Sequence, residues 1–141
     1  MSAERFAAFD GVREFPTGTR TAQEAAAAIG CEVGQICKSL VFRVGDEPLL
    51  VVCSGTNRVD EGRFGARKAD ADFVRRATGF SIGGVPPFGH PEPVPTVVDE
   101  DLLAYDVVWA AAGTPRHVFP LEPDGLVRRC GGRVERISPG S

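Results

Sequence analysis

Ile36-Cys37-Lys38-Ser39-Leu40-Val41-Phe42-Arg43-Val44, then Gly45-Asp46-Glu47-Pro48, then Leu49-Leu50-Val51-Val52-Cys53, is the stretch on which the fold turns. Two apolar, β-branched runs separated by turn residues predict a hairpin of strands over 36–44 and 49–53. Side chains alternate along a strand, so Ile36, Lys38, Leu40, Phe42 and Val44 share one face. An ammonium therefore stands in register with an apolar row. Burying it without a partner is costly, so Lys38 must reach a sheet rim, meet an anion or line a ligand cavity. A lysine snorkelling from a strand end accounts for this segment equally well on its own.

Upstream, Thr21-Ala22-Gln23-Glu24 is a capping box, in which Thr21 and Glu24 satisfy each other's backbone N–H groups. Ala22, Ala25, Ala26 and Ile29 follow helical spacing and Gly30 closes the helix; the alanine face implies close packing on a sheet. Downstream, Ser54-Gly55-Thr56-Asn57 leaves the hairpin as a polar loop. Asp60 caps a modest helix to about Arg67, weakened by Gly62 and Gly65, and Asp70 caps a better one over 71–77 that Gly79 terminates. Strands are expected at 94–98, 107–112 and 117–121, with an Asp99-capped turn between the first two. Pro123 opens a last helix that Gly131 closes, and 134–137 adds an edge strand. Residues 1–16 are weakly patterned, with a short helix over 4–9, and 138–141 form a frayed tail. Hairpins mixed with helices, without strict βα alternation, predict a single α+β domain over 1–141. Its core is a curved, mainly antiparallel mixed sheet or barrel with packed helices.

A chain of 141 residues, 43% hydrophobic and 25% charged, has globular composition and can bury a genuine core. Its net charge of −3 argues against gripping DNA or RNA through a broad basic surface. Local clusters such as Arg63, Arg67, Lys68 and Arg128, Arg129 read as solvated helix faces, able to touch an RNA backbone transiently. No apolar run approaches the ~20 residues of a membrane span. The first five residues lack a secretory start, so a cytoplasmic protein with no membrane partner is expected. Cys31, Cys37, Cys53 and Cys130 match no redox pair and no zinc spacing; they are expected as reduced thiols, a catalytic cysteine being the lesser alternative.

Gly83-Gly84-Val85-Pro86-Pro87-Phe88-Gly89-His90-Pro91 cannot be helix or central strand and defines a rigid loop. Either it simply joins a helix to a strand, or its N–H groups hold a carbonyl or developing oxyanion. Gly113-Thr114-Pro115-Arg116-His117 is an ordinary hairpin turn or a second such rim, and Ser54-Gly55-Thr56-Asn57 has the same two readings. His90 and His117 lie in no nucleophile or zinc motif, and no phosphate-binding glycine loop is present. No metal and no cofactor is expected. Chemistry would then rest on positioned amides and Lys38, with the nucleophile drawn from water or substrate.

In order and spacing, three segments resemble the YbaK/EbsC family of aminoacyl-tRNA editing domains, related to the insertion domain of bacterial prolyl-tRNA synthetases. They are Arg20 to Ala26 leading into Ile36 to Phe42, then Gly83 to His90, then Gly113-Thr114-Pro115. The resemblance covers about residues 17–137. It implies a curved, mainly antiparallel sheet or barrel with packed helices, and hydrolysis of the ester joining a wrong amino acid to tRNA. Carried over by position, Lys38 is the hallmark lysine near the tRNA 3′ end, and Gly83 and Gly84 belong to the loop that holds the aminoacyl carbonyl. Val85, Pro86, Pro87 and Phe88 would shape the amino-acid pocket. Gly113, Thr114 and Pro115 would face the same cleft, with Ser54 a further substrate contact. The resemblance also implies that a terminal ribose hydroxyl assists attack, which fits the missing histidine–nucleophile pair. Ser39 follows the lysine, as in the cysteinyl-prolyl-tRNA-type and uncharacterised branches, whereas alanyl-prolyl-tRNA deacylases typically place asparagine there. The expectation is a trans-acting deacylase for Cys-tRNA(Pro) or a similar small noncognate charge. Its expected partners are aminoacyl-tRNA, bound transiently, and a synthetase. The alternative is a non-catalytic module of the same fold that binds a small amino-acid-like ligand or a protein. Cys37 carries no assigned role, and His90 and His117 are expected to hydrogen-bond structurally rather than transfer protons.

Overall fold

The structure, a computed structural model, describes residues 9–15 and 21–138. The helix expected over 4–9 falls outside these residues except for its last position, and so does the tail over 139–141. In chain order the elements are β1 (Arg13–Glu14), α1 (Ala22–Ile29), β2 (Cys37–Val44), β3 (Glu47–Ser54), α2 (Glu61–Phe64), β4 (Arg67–Lys68), α3 (Ala71–Thr78), β5 (Thr96–Asp99), β6 (Val108–Ala111), β7 (His117–Leu121), α4 (Pro123–Cys130) and β8 (Arg133–Glu135). Two 3-10 turns, Val33–Gln35 and Glu100–Ala104, precede β2 and follow β5.

The β2–β3 hairpin forms with Val44 opposite Glu47 and Lys38 opposite Cys53. Its loop is tighter than expected: only Gly45 and Asp46 lie outside the ladder, with Gly45 at φ 64°. A glycine at positive φ in the first central position lets a two-residue loop follow the strand twist. Each helix begins and ends on chemistry visible in the sequence. Glu24 N–H donates to Thr21 Oγ1 at 3.0 Å while Thr21 N–H donates to Glu24 Oε1 at 3.1 Å. Asp70 caps α3, Pro123 opens α4, and Gly30, Gly79 and Gly131 close their helices in the left-handed region. The helix expected from Asp60 to Arg67 is cut to α2, because Gly65 turns left-handed (φ 62°) and Arg67 and Lys68 pair with Arg43 and Phe42 instead.

Strand order in the larger sheet is β4-β2-β3-β5-β8, and in the smaller it is β1-β7-β6. β2 is antiparallel to both neighbours, but β3–β5 and β5–β8 are parallel. One flank is therefore parallel, since β5 and β8 are reached by crossovers rather than hairpins. A single parallel bridge, Ile36–Trp109, links the segment before β2 to β6. Among the described residues both sheets keep free edges, so the α+β fold is open and the barrel form does not arise.

The alternation read from the hairpin holds. Cys37, Val41, Leu50, Val52 and Val98 face the main core with Val74, Leu126, Phe88 and Phe119. Leu40, Phe42, Leu49, Val51, Cys53 and Val97 face a second cluster with Phe64 and Ile137. Leu50, Val51 and Val52 are 0% exposed, each worth ~1.5–3 kcal/mol of burial. The alanine face of α1 sets Ala25 and Ala26 against Ile36, beside Trp109.

Candidate active-site cleft

From the Ile36–Trp109 bridge to the Phe42–Lys68 pair, the outer edge of β2 has no strand partner among the described residues, and a cavity of about 880 Å³ opens there. Leu50 N–H donates to Pro95 O, toward β5, at 2.9 Å. Val41, directly opposite Leu50, is therefore in a non-hydrogen-bonded pair with β3. By the same parity, the main-chain groups of Ser39 and Val41 point from the free edge toward the cavity. The β2 backbone also divides the walls. Cys37, Val41, Val74, Val85 and Ala110 give an apolar half. Lys38, Arg58 and Lys68 give a cationic half, Lys68 sharing the face of Lys38 because it sits opposite Phe42. Glu61 is the single carboxylate among the described lining residues.

Lys38 is half-buried and donates from Nζ to the main-chain O of Asn57 at 2.7 Å. That carbonyl is held by its own side chain: Asn57 Nδ2 donates to Asp99 Oδ2 at 2.8 Å and to Asp101 Oδ2 at 2.7 Å. Ser54 N–H donates to the same Asp99 oxygen at 2.9 Å. Ser54 is buried, and its hydroxyl donates to Gly34 O at 2.7 Å. It therefore anchors the loop from beneath and does not line the cavity.

The two glycine-bearing loops meet. A Cβ on Gly84 would lie 2.7 Å from Thr114 Cα and 3.0 Å from Gly113 O, so only glycine permits this contact. Gly83 (φ 89°), Val85, Thr114 and Pro115 line the cavity. Gly84 and Gly113 lie behind it. Gly84 N–H donates to Ser81 O at 3.0 Å and is committed to the local turn, so of the two glycine amides it is that of Gly83 that remains a candidate oxyanion donor. Pro86, Pro87 and Phe88 are buried and do not line the cavity. Phe88 packs on Phe9 and Phe119, at 5.6 and 5.8 Å between ring centroids, with the Arg129 guanidinium 4.1 Å from its own. An aromatic residue in a Gly/Pro loop can plug a core as readily as wall a pocket; here it plugs the core.

His90 Nε2 contacts Pro86 O at 2.8 Å and stiffens the same loop; burial lowers its pKa, against the opposing pull of that carbonyl. Thr114 Oγ1 and His117 Nδ1 are 2.5 Å apart, Arg116 N–H donates to the same hydroxyl at 3.2 Å, and Glu14 lies 3.6 Å from His117 Nε2. Cys37 and Cys53 are buried free thiols. Burial raises the pKa of both, pushing Cys53 up to about 12 against the opposing field of Lys38, so neither supplies a thiolate at neutral pH. Sequence reasoning missed Asn57 as the lysine's partner, the pairing of Thr114 with His117, the free edge at Ser39 and Val41, and Ile82, 58% exposed at the mouth. Of these, only Ile82, an apolar residue directly before a glycine pair, left a trace in the sequence.

Fold and cleft define a YbaK-like α+β domain, and the comparisons agree. The profile of the aminoacyl-tRNA editing domain matches residues 17–128, and the chain belongs to that family. It is 34% identical to the uncharacterized protein YwhH of Bacillus subtilis (strain 168), over 82% of this chain and 78% of that one. Among solved structures, it is 50% identical to a protein described as a candidate trans-editing enzyme for prolyl tRNA synthetase. That match has TM-score 0.86 and covers 92% of this chain and 86% of the other. The hypothetical protein APE2540 matches at 30% identity and TM-score 0.81, over 91% and 90% of the two chains.

Proposed function

We propose that this protein is a trans-acting aminoacyl-tRNA deacylase that hydrolyses the ester of a tRNA mischarged with a small noncognate amino acid, of the Cys-tRNA(Pro) type. The observation that carries the reading is Lys38. Its ammonium is held on the Asn57 carbonyl at the wall of a cavity it shares with Gly83, Thr114 and Pro115. An ammonium has three N–H donors. One is taken by Asn57, and the others can meet a phosphate or the ester carbonyl. The apolar half, walled by Cys37, Val41, Val74 and Val85, suits a short uncharged side chain. In the reaction a water oxygen adds to the carbonyl carbon, the bond to the ribose oxygen breaks, and that oxygen leaves with a proton. Lys38 and the Gly83 amide would oppose the charge that develops on the carbonyl oxygen, and one such donor is worth about 10²–10³ in rate.

The test is single-turnover deacylation of a panel of mischarged tRNAs. The wild-type protein should release small noncognate amino acids, and Lys38→Ala, correctly folded by circular dichroism, should be slower by about 10²-fold or more. Equal rates for the two proteins would remove the lysine from the mechanism. Binding without turnover across the whole panel would leave a module that recognises the charged end but does not cleave it.

A further inference from the structure

We propose that Asp99 is a positioning residue, acting through Asn57 to fix the carbonyl that aims the Lys38 ammonium into the cavity. The inference rests on the deacylase reading above. Asp99 ends β5 and is 1% exposed, and no cation lies within ion-pair distance of it among the described residues. A buried carboxylate is tolerated only when its oxygens are hydrogen-bonded. Here Oδ1 accepts Asp101 N–H at 3.0 Å and caps the 3-10 turn Glu100–Ala104. One oxygen would suffice for that cap. The second, Oδ2, is directed at the loop over 54–57, taking Ser54 N–H at 2.9 Å and Asn57 Nδ2 at 2.8 Å. Asp101 Oδ2 also accepts from Asn57 Nδ2, at 2.7 Å. Asn57 N–H donates to Ser54 O at 2.9 Å, closing the loop on itself.

With its amide N–H and carboxamide both committed, Asn57 is tethered on both sides of its Cα, and the carbonyl attached to that Cα is the group Lys38 grips at 2.7 Å. The parallel β3–β5 pairing, with Val52 opposite Val98, sets Asp99 beneath the loop that leaves β3. A parallel neighbour, distant in sequence, thus determines where the lysine of β2 points.

Lys38 and Lys68 are the chain's two lysines, and Lys68 is exposed, so each protein carries its own reference for chemical labelling. The experiment compares wild type, Asp99→Asn and Asn57→Ala for the Lys38-to-Lys68 ratio of acylation by a succinimidyl ester, mapped by mass spectrometry. Single-turnover deacylation and melting temperature are measured on the same preparations. Asn57→Ala keeps the main-chain carbonyl but removes its tether, and at a half-buried site it keeps the test open if Asp99→Asn fails to fold. Freed from its acceptor, Lys38 should label about fivefold faster relative to Lys68, and kcat should fall about tenfold or more, with KM within about threefold. An unchanged labelling ratio in folded Asn57→Ala overturns the clamp. A raised ratio with unchanged kcat, or activity lost only in step with the unfolded fraction, overturns its part in the reaction. If wild type cleaves no aminoacyl-tRNA, the deacylase reading fails instead, while the labelling ratio still decides whether the clamp exists.

Discussion

Gly84 shows how one missing side chain joins two distant loops. Any Cβ there would meet main-chain atoms of Gly113 and Thr114 at 2.7–3.0 Å, and backbone, unlike the end of a flexible side chain, cannot step aside. Gly84→Ala should therefore push the two loops apart, destabilising the fold by about 1–3 kcal/mol, the usual cost of overpacking. Deacylation should fall as well, because Gly83, Thr114 and Pro115 line the cavity from those loops. Gly125 makes a useful contrast. It lies inside α4 with only the tip of Arg128 nearby, at 3.8 Å, so Gly125→Ala should stabilise by about 0.5–1 kcal/mol through helix propensity. Urea midpoints of the two variants that moved in the same direction would contradict this account.

At the scale of elements, the loop from Gly83 to His90 is held by the contact of His90 Nε2 with Pro86 O. Burial lowers the pKa of His90 below its ordinary value near 6.5, so on acidification the unfolded chain takes up this proton before the folded one. The stabilising contribution is therefore complete above about pH 6.5 and is lost as pH falls through the folded value. The wild-type melting temperature should drop between pH 7 and pH 5.5. His90→Gln, which can still donate to Pro86 O but does not titrate, should show a smaller drop; superimposable profiles would exclude His90 as the cause. The elements that could be read from sequence were those with local causes. The Thr21–Glu24 box, the Asp70 and Pro123 starts, the glycine stops and the alternation that put Lys38 among Leu40 and Phe42 all depend on neighbours within a few residues. What escaped depends on remote partners. The run over 94–98 reads as a strand, but nothing in it says that it pairs parallel to β3. Phe88 faces the core because Phe9 and Phe119 wait for it there. Asn57, which meets Lys38, is bonded through its side chain to Asp99, 42 residues away, and to Asp101.

The whole molecule carries a net charge of −3, yet its cleft does not share that sign. Among the described residues, Lys38, Arg58 and Lys68 line the cavity against Glu61 alone, three cations to one carboxylate, for a balance of +2. Exposed Lys68 shares the face of the half-buried lysine, away from the apolar half, and exposed Arg58 directly follows the Asn57 that Lys38 grips. A polyanion drawn to this protein would be repelled by most of its surface and attracted at one mouth, so charge would steer orientation more than raw affinity. On the deacylase reading, the phosphodiesters leading to the charged 3′ end would lie along Arg58 and Lys68, and the acyl group would cross the β2 edge into the apolar half. Each phosphate contact by a protein cation contributes about 0.7 to the slope of log affinity against log salt on single-stranded nucleic acid. Arg58→Ala and Lys68→Ala should each flatten the salt dependence of kcat/KM on aminoacyl-tRNA by about that amount, raising KM while leaving kcat at saturation nearly unchanged. Aminoacyl-adenosine has no phosphate, so the same variants should cleave it at the wild-type rate. If they lost activity equally on both substrates, Arg58 and Lys68 would be acting on the ester itself, and the division of the cleft into a phosphate side and an acyl side would be wrong.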